Sequence, residues 1–264
     1  MSGYTIKIDE FTINFATRQI FVKKLGIRKL ILKDETMYQS IIDSNIIEQD
    51  ILLKDNINDA IEYLKNNKVQ LIEGLYEALF KRETYRQCNV YVSDKNNSKI
   101  ISAANVGIQH ENIDPNELQQ LVNFAYEYVG EEKIIVMFAC YLLYERIHPH
   151  IDGKGRMGRL LYLENIYQMT ESFVPLSSTL RHNKYARQIM NEIFKHISFG
   201  ETMKKRQIKS GDAAIYREEI KEADMNRFNE IINSNQRTKQ QYYTLDIDED
   251  TRYLIFKLLN MINV

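Results

Sequence analysis

Cysteine is nearly absent from this chain: Cys88 and Cys140 are the two thiols among 264 residues. So few, without pattern, make neither a disulfide framework nor a thiolate metal site. Cys140 sits in an apolar run and reads as core. Net charge is almost absent too, since 35 basic and 36 acidic side chains leave −1. No whole-protein field therefore recruits nucleic acid or an anionic membrane. A secretory leader pattern is missing, and no apolar run is long enough to span a bilayer. The expectation is a protein of the reducing cytoplasm, with neither membrane nor nucleic acid as partner. Proline and glycine are sparse, at 3 and 10, and no repeat or low-complexity stretch stands out. The length still allows a substantial core, as one domain or a domain with a small appendage.

What the chain does have is concentrated in His148-Pro149-His150-Ile151-Asp152-Gly153-Lys154-Gly155-Arg156-Met157-Gly158-Arg159. Upstream, Ile134 to Ile147 is apolar nearly all round apart from Glu145 and Arg146, which predicts a buried central helix. Pro149 ends it, because proline disfavours helical geometry in the residue before it. His148 then falls at the helix C-terminus, where the macrodipole predicts a modestly raised pKa. Downstream, Arg156 to Met169 resumes helical spacing through Met157, Leu160, Leu161 and Leu163. Gly153, Lys154 and Gly155 thus precede a helix N-terminus, whose free amides and positive dipole end suit an anion. Glycine lets the backbone approach phosphate oxygens closely. Arg156 and Arg159 share a helix face and can grip one polyphosphate. Each residue alone has a plainer reading: a turn for Gly-x-Gly or Asp152, a cap for His148. Their joint order favours a nucleotide-phosphate loop, given a helix–loop–helix context.

Elsewhere the chain reads as helices with two β interruptions. Ile6, Ile8, Phe11, Ile13 and Phe15 alternate with polar residues, predicting a strand or short hairpin within an N-terminal extension, 1–34. Asp34 is a candidate N-cap ahead of Met37, Ile41 and Ile42, and Asp43 or Ser44 starts a separate stretch through Ile46, Ile47 and Ile51. Further helices are expected over Asn56–Leu64, Val69–Phe80, Asn116–Tyr128 (opened by Asp114-Pro115) and Asn183–Ile197. Residues 86–92 and 99–103, around a polar turn, predict a β-hairpin. The charged stretch 201–241 predicts solvated helices. Residues 248–262, with Tyr253, Leu254, Phe256, Leu258 and Leu259, predict a segment docking on the body or on a second copy, so a homodimer stays open. The fold class expected is mainly α: a helical bundle with a β-hairpin and a short N-terminal β segment. Its core spans 35–200, followed by a helical extension over 201–264.

The loop closely resembles the signature of the Fic (Fido) family, H-P-F-x-[D/E]-G-N-G-R-x-x-R. His148, Pro149, Asp152, Gly153, Gly155, Arg156 and Arg159 meet that pattern, whereas His150 stands where Phe is usual and Lys154 where Asn is usual. The resemblance covers residues 40–200 and implies a Fic-type bundle with a flap before the central helices. Tyr85, Arg86, Asn89, Val90, Tyr91 and Val92 resemble the start of that flap, without its usual glycine. The family's flap clamps a target chain by strand addition, in which main-chain hydrogen bonds carry most of the recognition. Ser44 and Glu48 resemble the inhibitory helix [S/T]-x-x-x-E-[G/N], with Gln49 in the last place. That class pairs the glutamate with the second signature arginine, here Arg159, and so removes it from the γ-phosphate. The plainer reading of Glu48 is a solvated surface residue. Glu73-Gly74 offers a second match, but Val69 stands where Ser or Thr belongs.

The activity implied by the resemblance is transfer of AMP from ATP to a hydroxyl side chain of a target protein. His148 would be the general base and Asp152 the Mg²⁺ ligand. Gly153, Lys154 and Gly155 would cradle the diphosphate, with Arg156 on the triphosphate. Lys154 leaves alternatives: another Fic-type transfer (phosphate, other nucleotide), de-adenylylation with Glu48 positioning water, or a silent binding module. His150 is expected to be structural, a buried neutral imidazole in need of hydrogen-bond partners.

Overall fold

The computed structural model describes residues 4–8, 11–15, 34–67, 71–93, 100–130, 132–168, 173–205 and 239–262. In chain order the elements are strands β1 (Tyr4–Ile8) and β2 (Phe11–Phe15), then helices α1 (Asp34–Ile47), α2 (Lys54–Asn66) and α3 (Ile72–Phe80). The hairpin β3 (Tyr91–Ser93) and β4 (Ile100–Asn105) leads to helices α4 (Pro115–Glu127), α5 (Lys133–Ile147) and α6 (Lys154–Arg159). A π-helical turn (Leu160–Glu164), α7 (Leu176–His182), α8 (Lys184–His196), β5 (Ser198–Lys205), β6 (Lys239–Ile247) and α9 (Glu249–Ile262) complete the order.

The fold is mainly α, and α5 is its axis. Its sequence is apolar all round, so it is stable only when covered on every side. Buried residues run from Ile135 to Glu145 without a break, with Ile147 beyond. Helices α4 and α6 and the π-helical turn pack on it, while α1 lies against α7 and α2 against α3. The covering helices are amphipathic; α2 buries Ile57, Ala60, Ile61 and Leu64 at the spacing of one face. Asp114 caps α4 by accepting from the amides of Asn116 and Glu117, with Pro115 in the first turn. Among the described residues no helix is long and apolar enough to cross a membrane.

Several expectations need correction. Residues 34–47 form one helix, not two. Asp43 and Ser44 do not cap; they are buried inside α1 and bond to other helices, Asp43 to Arg181. The C-terminal segment is not helical throughout: 201–205 and 239–241 are strand, and 206–238 lies outside the described residues. Strand β6 pairs parallel to β2 and antiparallel to β5, giving the order β1-β2-β6-β5. Ile13 and Phe15 stand beside Leu245 and Ile247, all buried. The lysines of β5 disguise it as a solvated helix, yet an edge strand tolerates such charge. The two flanking extensions therefore share one sheet. Helix α9 docks on α8 of the body, burying Ile255, Leu258 and Leu259. The hairpin strand is shorter than expected, starting at Tyr91, and α6 starts at Lys154 rather than Arg156.

Candidate functional site

Helix α5 delivers His148 to the loop in an unusual backbone state. Its amide still donates to Tyr144 O, but φ is +57°, in the left-handed region. That region is uncommon for residues other than glycine. Gly107, itself at φ +82°, passes so close that a Cβ there would overlap Ile147 O and the Cβ of His148. His148 is 7% exposed and its Nδ1 makes no hydrogen bond. Burial, helped by the charge of Lys154, pushes its pKa down to about 4. The rise expected from the helix terminus is thus overturned: desolvation and a nearby cation outweigh a half-charge dipole.

His150 shows why an imidazole can stand in a core position. It is fully buried and stacked on Tyr76, with ring centroids 4.4 Å apart. One nitrogen faces Thr84 O and the other Tyr144 OH. A carbonyl only accepts, so Nδ1 donates to Thr84 and Nε2 accepts from the tyrosine. Burial holds the ring neutral, with a pKa of about 3.

The loop turns at Gly153, where φ is +78° and a Cβ would strike the Phe80 ring. Asp152 Oδ1 accepts from the Gly153 amide at 2.6 Å, and Tyr76 OH donates to Asp152 O at 3.0 Å. The Asp152 carboxylate is half exposed and flanked by Arg82 at 2.8 Å and Arg156 at 3.0 Å. Burial pulls its pKa up, but these two cations prevail and hold it below the usual range. Lys154 leans towards α5, its Nζ 3.9 Å from Glu145 Oε2. Burial raises the Glu145 carboxyl and lowers the Lys154 amine, and each partner's charge opposes the other's shift.

Both loop arginines are buried under the end of α1. Arg159 donates to Ser44 Oγ from Nε at 3.1 Å and from Nη2 at 2.9 Å, and reaches Glu48 Oε1 at 2.8 Å. Arg156 lies over the Phe80 ring at 4.6 Å and donates to Asn45 Oδ1 at 3.1 Å and to Asp50. The turn carrying Glu48 and Asp50 is a Schellman cap. Asp50 N bonds to Asn45 O at 3.0 Å and Gln49 N to Ile46 O at 3.2 Å, with Gln49 left-handed at φ +58°. Gly or Asn takes that conformation more cheaply than Gln49 does.

The hairpin residues divide. Tyr91 is 42% exposed, and the side chain of Val92 lies outside the described residues. Asn89 turns inward, its Oδ1 accepting from the His110 amide at 2.9 Å, and Val90 O accepts from the Val106 amide at 2.7 Å. Arg86 is 2% exposed and lies beneath the loop, so it offers no surface to a bound chain. Sequence reasoning missed Asn45, Asp50 and Arg82. Asp50 alone left a trace, as an acid just beyond a helix end. The structure thus brings His148, Asp152, Gly153, Lys154, Gly155, Arg156 and Arg159 together with Ser44 and Glu48. Comparison of the chain with protein-family models, curated proteins and solved structures gives no match.

Proposed function

We propose that this protein is a Fic-type adenylyltransferase held in an autoinhibited state, moving AMP from ATP to a hydroxyl side chain of a target protein. The observation that carries the reading is the grip of Ser44 and Glu48 on Arg159, made across 115 and 111 positions of sequence. A solvated surface glutamate has no reason to meet a buried arginine of a phosphate-type loop together with the serine one turn before it.

The chemistry follows from the side chains in place. The target hydroxyl oxygen attacks the α-phosphorus of ATP, its bond to the bridging oxygen breaks, and pyrophosphate leaves. His148, neutral at physiological pH, accepts the hydroxyl proton. Arg156 and Arg159, once released, balance phosphate charge, and such positioned cations supply most of the catalysis in phosphoryl chemistry. Asp152 would hold Mg²⁺ once Arg82 and Arg156 leave its oxygens, as a half-exposed carboxylate and the single acid that this ion needs when phosphates complete its shell. When bound, Mg²⁺ would neutralise phosphate charge during the transfer. The exposed edge around Tyr91 is where a target segment would add to the hairpin.

Lys154 favours a second reading, transfer of another group, because its ammonium stands beside the loop where a neutral amide is usual. Labelling decides between them. Wild type and Glu48→Gly are incubated with Mg²⁺ and α- or γ-labelled ATP, with the protein's 17 tyrosines as surrogate acceptors. Label from α-ATP alone, an added AMP mass and a gain in the variant support adenylylation. Label from γ-ATP alone means phosphate transfer. Bound nucleotide without label in either protein means a binding module.

A further inference from the structure

The geometry points to Arg86 as the positioning residue that holds His148 in its left-handed conformation, rather than as a contact for the target chain. The three donor nitrogens of its guanidinium are spent on three backbone segments. Nε donates to His148 O at 2.7 Å, Nη1 to Cys88 O at 3.0 Å, and Nη2 to Ile108 O. Its own amide donates to Pro149 O at 3.0 Å. One residue therefore clasps the two consecutive carbonyls of His148 and Pro149. It also joins them to the start of the hairpin and to the turn that follows β4.

Packing alone does not account for this placement. Arg86 is 2% exposed, and no carboxylate lies within ion-pair distance of it among the described residues. A buried cation without a counter-ion is costly, and burial pushes its pKa down. What stabilises the charge is a ring of carbonyls, and one of them belongs to the C-cap of α5, where helix carbonyls lack intrahelical donors. The fork geometry is specific to arginine, since a lysine ammonium cannot span three such acceptors. Ile108 N adds a bond to Ile147 O at 3.2 Å, and Gly107 leaves room for the His148 backbone. The strain at His148 is thus braced from the hairpin side, and Arg86 couples the hairpin's seat to the direction in which the imidazole points.

The test uses the full chain in the Glu48→Gly background, with Arg86→Lys, Arg86→Met and His148→Ala. Two quantities are read: labelling rate against ATP affinity, and the His148 imidazole titration by NMR, assigned from the His148→Ala spectrum. The charged groups that face that ring are Lys154 and Arg86, and the neutral His150 lies beside it. The expected result for Arg86→Lys is a labelling rate lower by about 100-fold, with ATP affinity within about twofold. His148 should then titrate closer to the ordinary histidine value as the loop opens to water. Arg86→Met should lose more, so that lysine counts as partial rescue. The proposal rests on the adenylyltransferase reading only for its rate. If no protein labels, that reading fails, and the titration alone decides the role of Arg86. An unchanged rate and titration in Arg86→Lys would overturn the proposal. So would collapse of the fold in that variant, which would make Arg86 a plain structural brace.

Discussion

Asp50 holds Arg156 two residues beyond the point where Glu48 holds Arg159. The two acids flank the left-handed residue Gln49, so one turn of backbone closes on both loop arginines at once. The grip on Arg159 was anticipated from the sequence and the grip on Arg156 was not. The pair has consequences that a single contact would not have.

On the proposed reading, removing Glu48 alone should free only one of the two arginines meant for phosphate. ATP affinity, read by calorimetry, should rise about tenfold in Glu48→Gly and in Asp50→Asn, each equivalent to about 1.4 kcal/mol. The double variant should exceed either. Equal affinity in Asp50→Asn and wild type would show that Arg156 is available without release.

Gln49→Gly should tighten the latch. Glycine adopts φ near +58° without the Cβ penalty of about 1 kcal/mol. Thermal unfolding should shift up by about 2–4 °C for a protein of this size, and basal labelling should fall. A lower midpoint would contradict the capping geometry.

If His148 is the base of the proposed transfer, the pH profile of labelling should reflect a group that is already neutral. With His148 at about 4, its proton-accepting form persists well below the ordinary histidine value of about 6.5. In the Glu48→Gly variant, kcat/KM should show no descending limb as pH falls from 8 to 5.5, where the ordinary value predicts one. A limb centred near 6.5 would mean that His148 is solvated.

His150→Phe should trade neutral-pH stability for acid tolerance. Its folded pKa, about 3, lies below the unfolded value. The unfolded chain therefore binds more protons between those values, and stability is lost as pH falls below about 6.5. The slope is about 1.4 kcal/mol per pH unit for each such ring. Phenylalanine removes that slope but leaves Tyr144 OH and Thr84 O unpartnered, costing about 1–3 kcal/mol. Urea midpoints at pH 7.5 and pH 5 should favour wild type at the first and narrow or reverse at the second.

The parts legible in the sequence were local. The apolar run of α5, the Asp114-Pro115 opening of α4, the face of α2 and the order of loop residues all follow from spacing and capping. The parts missed depend on distant partners. Nothing near Asp43 says that Arg181 awaits it, so two polar residues in mid-helix read as a break. His148 was misjudged because a terminal position is local and burial is not. The motif placed Arg86 on a binding strand, whereas its three carbonyl acceptors come together only in the fold.

The parallel pairing of β2 with β6 sets the timetable of folding. Asn14 and Asp246, whose side chains bond at 2.7 Å, are 232 residues apart. Such a contact closes a very long loop and forms late. During synthesis the first hairpin emerges before β6 and must wait, its inner edge unpaired, until β6 has also left the ribosome. Any shortening that removes β6 would leave that edge open permanently, as a template for aggregation.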